Sequence, residues 1–589
     1  MKKLMALLLC IILVFAGLTG CANSGTTTQA PTAAPTKATS DPTEAPTEKA
    51  TGVPTNAPTE EGSEKGVLPL TTERKVITVG IPLNAQTEDY DTNAYTLWLE
   101  EQTGVDLEFV YFSSNSSERT TQLNLMVASS TDKLPDVIVG WAIGASLRNE
   151  LGEDGYLLDL TDYFDQYAYW YWEMYDLLDE EAKKMVFTQA KDPTNGALYT
   201  VPGAFDFDES DTIECPAVIN KKWLETLGLS VPTTVDELYD VLVAFRDRDP
   251  NGNGKNDEIP MTGGSMGWGD IAEFVINAYV YCNDKYRWNA TDGQIWSPYT
   301  TPEYREALVY LNKLYQEGLL SPLFFSTKKN PELKALTTPT EGPTITGVTC
   351  GHTLLIYEAE NDLMDEYTAL PPLKAETSLG GYSPQQTFTY SNNMFITCDA
   401  EDPVLCFKLL DFMSGLESFP RQRYGEYGVD WTYAPESEWG QNSTGHPAKL
   451  YLLQPNVWNE QNNQTWHTLT PKSWASDAGF FGISTPDPTS WSYRNEQLCM
   501  EIWRANRAAG MPEEVVWNLV YNTDESQVVS DYNATVHDYV EEARALFIAG
   551  TLNPSSDADW STYLKTLEEM GMSKLIEAVQ SSYTRMNAE

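Results

Sequence analysis

Beyond a polar stretch near its amino end, the chain opens with short apolar blocks that alternate with helically spaced ones. Lys75-Val-Ile-Thr-Val-Gly80 reads as a buried first strand, and the pattern predicts a helix over 94–102 that closes at Gly104. A second strand is expected over 106–111, then a helical stretch through Leu123 to Ala128, then a third strand in Leu134-Pro-Asp-Val-Ile-Val-Gly140. Strands separated by helices predict a parallel or mixed α/β sheet, in which ligands gather at the carboxyl ends of the strands. Trp141 comes just after one such end and is a candidate to face a cleft; the plainer reading is a core tryptophan.

Further along, Thr234-Val-Asp-Glu237 is a capping box, and Leu238, Val241, Leu242 and Phe245 share one face of the helix it opens. Thr301 and Pro302 start another helix, with Leu308, Leu311, Leu314 and Tyr315 inward and Gly318 as its stop. Helices are also expected over 403–414, 535–549 and 560–583. The body has no repeat period.

The amino end has a different logic. Lys2 and Lys3 precede the apolar run Leu4 to Leu18, which is too short to span a bilayer comfortably and carries the charge asymmetry of a secretory signal. Leu18-Thr19-Gly20-Cys21 resembles the lipobox of bacterial lipoproteins, in which the cysteine receives a diacylglyceryl group. The reading is a signal peptide over 1–20 and a lipid-anchored protein held by Cys21 at the extracellular face of the cell membrane. Residues 21–66 are rich in Thr and Pro, with Ala-Pro-Thr recurring at Ala30, Ala34, Ala45 and Ala57; having little to bury, they read as a disordered tether. The folded body is then 67–589.

Composition narrows the partners. A net charge of −47, from 85 acids against 38 bases, repels phosphate backbones and excludes a nucleic-acid role. The chain carries 17 Trp and 32 Tyr, more flat amphipathic rings than a core alone requires. Six cysteines remain in the body with no Cys-x-x-Cys spacing and only 4 His in the chain, so buried free thiols are favoured over disulfides or a zinc site.

The loop Asp249-Pro-Asn251-Gly-Asn253-Gly254-Lys255-Asn-Asp257-Glu258 sets oxygen side chains at positions 1, 3, 5, 9 and 10, with glycine at position 6 and the Lys255 carbonyl at position 7. Hard cations take six to eight oxygen ligands on a backbone that can wrap, and three carboxylates without His or Cys suit calcium. Pro260 replaces the bidentate glutamate of an EF-hand, so Asp257 and Glu258 would have to close the site. The ion would be structural. The plain alternative is a polar turn.

Several segments, in order, resemble the solute-binding lipoproteins of bacterial ABC sugar importers: the extracellular family 1 type of Gram-positive cells, similar to alginate-oligosaccharide binding proteins. They are Tyr95-Thr-Leu-Trp-Leu-Glu-Glu-Gln-Thr-Gly-Val105, Leu134-Pro-Asp-Val-Ile138, Ile219-Asn-Lys-Lys-Trp-Leu-Glu-Thr-Leu-Gly-Leu229, Thr301-Pro-Glu-Tyr-Arg305, Leu314-Tyr-Gln-Glu-Gly-Leu319, Tyr424-Gly-Glu-Tyr-Gly-Val-Asp-Trp431 and Asp559-Trp-Ser-Thr-Tyr563. The resemblance implies an α/β, two-lobed periplasmic-binding-protein-like fold of type II with a hinge and an inter-lobe cleft. It implies capture of an oligosaccharide, delivery to the transmembrane subunits of an ABC permease, and calcium on Asp249, Asn251, Asn253, Lys255, Asp257 and Glu258. In the Tyr424 segment the family has Gly-x-Glu-Gly, whereas this chain reads Gly425-Glu426-Tyr427-Gly428, with the acid displaced one place.

Sugars present apolar C–H faces and rims of hydroxyls, so their sites pair aromatic platforms with amides, carboxylates and arginine. Gly263 to Asp270 and the run from Trp431 to Arg494, with Trp439, Trp458, Trp466, Trp474, Trp491 and Tyr493, have that mixture. Trp268 and Trp431 are the leading binding candidates, then Trp141, Arg494 and Asn392. Lobe 1 is expected over 67–200 plus a segment near 340–400, and lobe 2 over 200–340 plus much of the carboxyl-terminal part; the protein is expected to be a monomer. Other readings are a peptide receptor, a wall-associated adhesin, and a calcium-stabilised glycoside hydrolase using Asp206 and Asp208 or Glu436 and Glu438.

Overall fold

The computed structural model describes residues 65–587 except 130, 179, 207–212, 265–266, 284–286, 328–329, 359–360, 386–387, 439, 442–446, 455–456, 458–460, 468–488, 490 and 517–518. The signal segment, Cys21, nearly all of the tether, Asp208, Trp439, Trp458 and Trp474 lie outside the described residues. Among the described residues no helix is long and apolar enough to cross a membrane.

The elements of the first lobe keep the predicted order: β1 (Lys75–Pro82), α1 (Ala94–Thr103), β2 (Val105–Phe112), α2 (Ser116–Ala128) and β3 (Val137–Val139). β1 is central and parallel to both neighbours, with Lys75 opposite Val105 and Val79 opposite Val137. Ile77, Val79 and Ile81, on one face, are almost completely buried, and Gly80 and Pro82 on the other face are buried as well, so the carboxyl half of the strand is covered on both sides. Gly80 is required by contact: a Cβ there would stand 2.7 Å from Pro135 Cγ and 2.8 Å from Phe112 Cε2. The fourth strand of this sheet, Met394–Ile396, comes from far along the chain and pairs antiparallel with β3.

After the short helix α3 (Trp170–Tyr175), the strand β4 (Pro202–Asp206) leads from this layer to β5 (Ala217–Asn220), the centre of a second sheet. Next come α4 (Val235–Asp247), opened by the Thr234/Glu237 capping box, β6 (Ile259–Met261), α5 (Ile271–Ile276) and α6 (Pro302–Gln316). β7 (Thr346–Cys350) and β8 (Tyr367–Ala369) flank β5, both antiparallel to it, and β6 runs parallel to β7. The chain returns through β9 (Phe388–Asn392), antiparallel to β4 with Asn392 opposite Pro202, into β10 (Met394–Ile396) and α7 (Pro403–Met413).

The segment near 340–400, expected in the first lobe, therefore divides. β7 and β8 belong to the second sheet, and the chain rejoins the first sheet only at β10. All five residues of β7 are buried, and β5 and β6 pair with its two edges, which makes it an interior strand of the second sheet. Its threonines conceal that burial from a hydropathy reading.

β11 (Trp431–Tyr433) and β12 (Leu450–Leu452) form a small ribbon, after which four helices complete the body: α8 (Trp491–Ala509), α9 (Thr523–Ala549), α10 (Asp557–Glu569) and α11 (Met572–Asn587). α9 begins well before residue 535 because Asn522 and Glu525 form a capping box. The single helix expected over 560–583 is two, broken at Gly571, whose φ is 102° and where a Cβ would meet the Tyr532 ring at 2.4 Å. Val540, Phe547, Tyr563, Leu575 and Val579 from these helices join Leu242, Phe245, Leu308 and Leu311 in the core of the second lobe. The cysteines Cys215, Cys282, Cys350 and Cys406 are buried thiols that form no disulfide, whereas Cys398 is an exposed thiol.

Candidate functional site

The loop after α4 is folded around its own acids. Asp249, at φ 45°, accepts hydrogen bonds from Asn253 N at 3.2 Å and Gly254 N at 3.0 Å. Asn251 Oδ1 accepts from Asn253 N at 3.0 Å, and Asn253 Oδ1 from Lys255 N at 2.7 Å. Each of these oxygens keeps a second lone pair. The Nδ2 of Asn253 donates to Asp257 Oδ1 at 2.9 Å, which holds the Asp257 carboxyl below its ordinary range. Glu258 is the exception: its Oε1 is buried with no hydrogen-bond partner, and burial, with added repulsion from Asp249 and Asp257, pushes its carboxyl up. An orphaned buried carboxylate oxygen beside two other acids, in an all-oxygen donor set, fits a hard cation. As the loop stands, no three His, Cys, Asp or Glu side chains among the described residues converge on one metal position.

Beyond this loop, the carboxyl ends of the parallel pair β6 and β7 bring two segments together. β6 leads into Thr262, whose Oγ1 is buried and unpartnered, and on to the 3₁₀ turn Gly267–Gly269 that carries Trp268. The turn is pinned by Gly264 N donating to Gly269 O at 2.8 Å and Asp270 N to Gly267 O at 3.0 Å. β7 leads into Gly351, His352 and Thr353. Trp268 is half-buried, and its ring centroid lies 5.1 Å from that of His352 at 44°. α8 completes the group, with Thr353 Oγ1 and Cys499 Sγ 2.9 Å apart. His352, Thr353, Asn495 and Cys499 carried no signal in the sequence, because single polar residues after a strand or on a helix have no spacing to recognise.

On the first lobe, Trp141 lies past the carboxyl end of β3, as its position implied, but it is only 4% exposed. Phe112 lies 5.5 Å from its ring and the Arg119 guanidinium 5.1 Å from its centroid, so both are packed on it. Asn392 sits at the end of β9, 8% exposed, with Nδ2 donating to Gln189 O at 3.4 Å.

Two of the expected ligand residues have other work. Trp431 is 0% exposed, packed with Met174, Phe419 and Leu450, and its Nε1 donates to Gly425 O at 2.8 Å. A ring with no free face cannot serve as a stacking platform. The exposed rings there are its neighbours Tyr427 and Tyr433, whose centroids are 6.0 Å apart. Arg494 is committed to Asp362, at 3.1 Å, and to Asp365, which fix the first turn of α8 to the 3₁₀ turn before β8. Of the five ligand candidates, Trp268 alone offers a partly open ring at strand ends.

Two lobes, each built on a sheet with parallel strands and joined by the β4/β9 pair, define the architecture of a solute-binding protein. Residues 84–418, more than half of the chain, match the family described as bacterial extracellular solute-binding protein, and the protein belongs to that family. The family comprises substrate-binding proteins and not enzymes, so Asp206, Asp208, Glu436 and Glu438 carry no catalytic assignment. The chain is 24% identical over 533 residues to the fructooligosaccharide ABC transporter substrate-binding protein FusA of Streptococcus pneumoniae, covering 87% of this chain and 90% of that one. Among solved structures it is similar to an extracellular solute-binding protein from Bifidobacterium longum subsp. infantis, with TM-score 0.69, 21% identity, and 87% and 98% of the two chains covered. It is similar also to the alginate-binding protein AlgQ2, solved without calcium ion, with TM-score 0.58, 18% identity, and 87% and 99% covered.

Proposed function

We propose that the protein captures an oligosaccharide between its two lobes at the extracellular face of the cell membrane, where Cys21 anchors it, and delivers the sugar to the transmembrane subunits of an ABC permease. The observation that carries this reading is Trp268, a partly open indole beside His352 at the carboxyl ends of β6 and β7. Parallel strand ends are where α/β folds collect ligands, and an indole is a platform for the apolar face of a sugar ring. Family membership and the substrate named for FusA support the same class.

The β4/β9 pair is the proposed hinge. Closure about it favours the bound form only if ligand touches both lobes, so Asn392, at the end of β9, is the proposed first-lobe contact, with the packed Trp141 supporting that wall from behind. The loop from Asp249 to Glu258, with Asn251, Asn253, the Lys255 carbonyl and Asp257, is proposed to hold a structural calcium ion. The orphaned Glu258 oxygen supports this, as do two similar structures, one described as AlgQ2 without calcium ion and one as an EF-hand mutant of FusA. Such an ion would fix the loop ahead of β6 and thus the start of the Trp268 turn.

The test is a thermal-shift panel of neutral and uronic oligosaccharides against the purified protein, with the sugars analysed afterwards. A bound sugar at 100 times its dissociation constant adds about 2.7 kcal/mol of stability. One sugar class is expected to raise the melting temperature and to be recovered intact. No shift with any sugar, or shortened products, would overturn the reading.

A further inference from the structure

α8 lays Leu498, Ile502 and Ala505 against Val218, Ile356 and Tyr367 of the second lobe. The flank beside that apolar edge carries a polar group that the protein itself leaves unsatisfied. Asn495 is only 6% exposed; its Oδ1 has no hydrogen-bond partner, and its Nδ2 faces Cys499 Sγ at 3.9 Å. One turn later Cys499 reaches Thr353, which adjoins His352 and, through it, the Trp268 ring. The indole Nε1 of Trp491, one turn before Asn495, is likewise buried and unpartnered. A buried amide whose acceptor is unmet is destabilising, and in native folds such a group is met by ordered water, an ion or a ligand.

We infer that Asn495 is a ligand-contacting residue, and that Asn495 and Trp268 together form a second-lobe subsite for one sugar ring. The indole takes the C–H face of the ring. The amide accepts from one ring hydroxyl through Oδ1 and can donate to the next through Nδ2, a pairing that suits vicinal hydroxyls. This inference rests on the oligosaccharide reading above and adds to it the residue that selects for hydroxyl placement. A trapped water would satisfy the same amide without serving the ligand, and the test separates the two.

The test uses the full chain and three probes, kestose, maltotriose and trigalacturonate, titrated calorimetrically. For any probe that the wild type binds, Asn495→Ala is expected to weaken affinity about tenfold, the loss of one neutral hydrogen bond with its orphaned hydroxyl. Asn495→Asp, which keeps the acceptor, should stay close to wild type, and Trp268→Ala should weaken binding at least as much as Asn495→Ala. Equal affinity in wild type and Asn495→Ala overturns the subsite while leaving the oligosaccharide reading standing, and an equal loss in the Asp and Ala variants overturns the acceptor role. If the wild type binds none of the three, the oligosaccharide reading fails for these classes and the subsite falls with it.

Discussion

Arg544 Nη2 on α9 lies 2.8 Å from Asp270 Oδ2, and both side chains are nearly enclosed, 7% and 5% exposed. Asp270 also caps α5, with Oδ1 accepting from Ala272 N at 2.9 Å and Glu273 N at 3.1 Å. The pair ties the carboxyl-terminal helices to the turn that presents Trp268. Replacing Arg544 by Met would leave a buried carboxylate without its cation and is expected to destabilise the protein by about 3–5 kcal/mol in urea denaturation. Arg544→Met combined with Asp270→Asn should recover part of that loss. A fully additive pair of losses would show that the two do not act together.

Asp411 is 1% exposed in α7, and its carboxylate accepts from the backbone N–H groups of Tyr169 at 3.0 Å and Tyr171 at 2.8 Å, which open α3. Burial outweighs those bonds and pushes the carboxyl from 3.8 to about 6. Between these values the folded chain holds a proton that the unfolded chain lacks, so the stability tied to this group falls as pH rises through the window. The full difference is about 3 kcal/mol. Asp411→Asn should remove that slope when melting is monitored from pH 4 to 6, and parallel curves for the two proteins would refute the assignment.

Calcium should raise the melting temperature and a chelator lower it. Because Glu258 is pushed up by burial and by Asp249 and Asp257, protons compete with the ion, and the calcium effect should shrink as the solution is acidified. Glu258→Gln should weaken the calcium response at neutral pH. Indifference of the melting curve to both calcium and chelator would remove the proposed site.

Trp431 and Trp268 should separate stability from binding. Trp431→Ala would empty a closed pocket among Met174, Phe419 and Leu450, with an expected cost of about 3–5 kcal/mol and wild-type sugar affinity in the protein that remains folded. Trp268→Ala, at a half-buried position, should cost about 1 kcal/mol or less in stability and most of the affinity. Reversed outcomes would exchange their roles.

The linear chain dictates whatever is written over neighbouring residues. The alternation of β1, the box at Thr234 and Glu237, the glycine stop after α1 and the oxygen spacing from Asp249 to Glu258 are local, and each corresponds to a local structure. The ordered motifs added the family. Burial, by contrast, was settled only in three dimensions. Trp431 and Trp268 are the same side chain, each a few residues from glycine in a polar, aromatic stretch, yet one is sealed by residues from 174 to 450 and the other lies half open. Arg494 could not be told from a ligand residue until Asp362 and Asp365 folded up against it. The same holds for Arg544 with Asp270 and for Cys499 with Thr353: these contacts span well over a hundred residues, and a contact made by chain return leaves no period in the sequence.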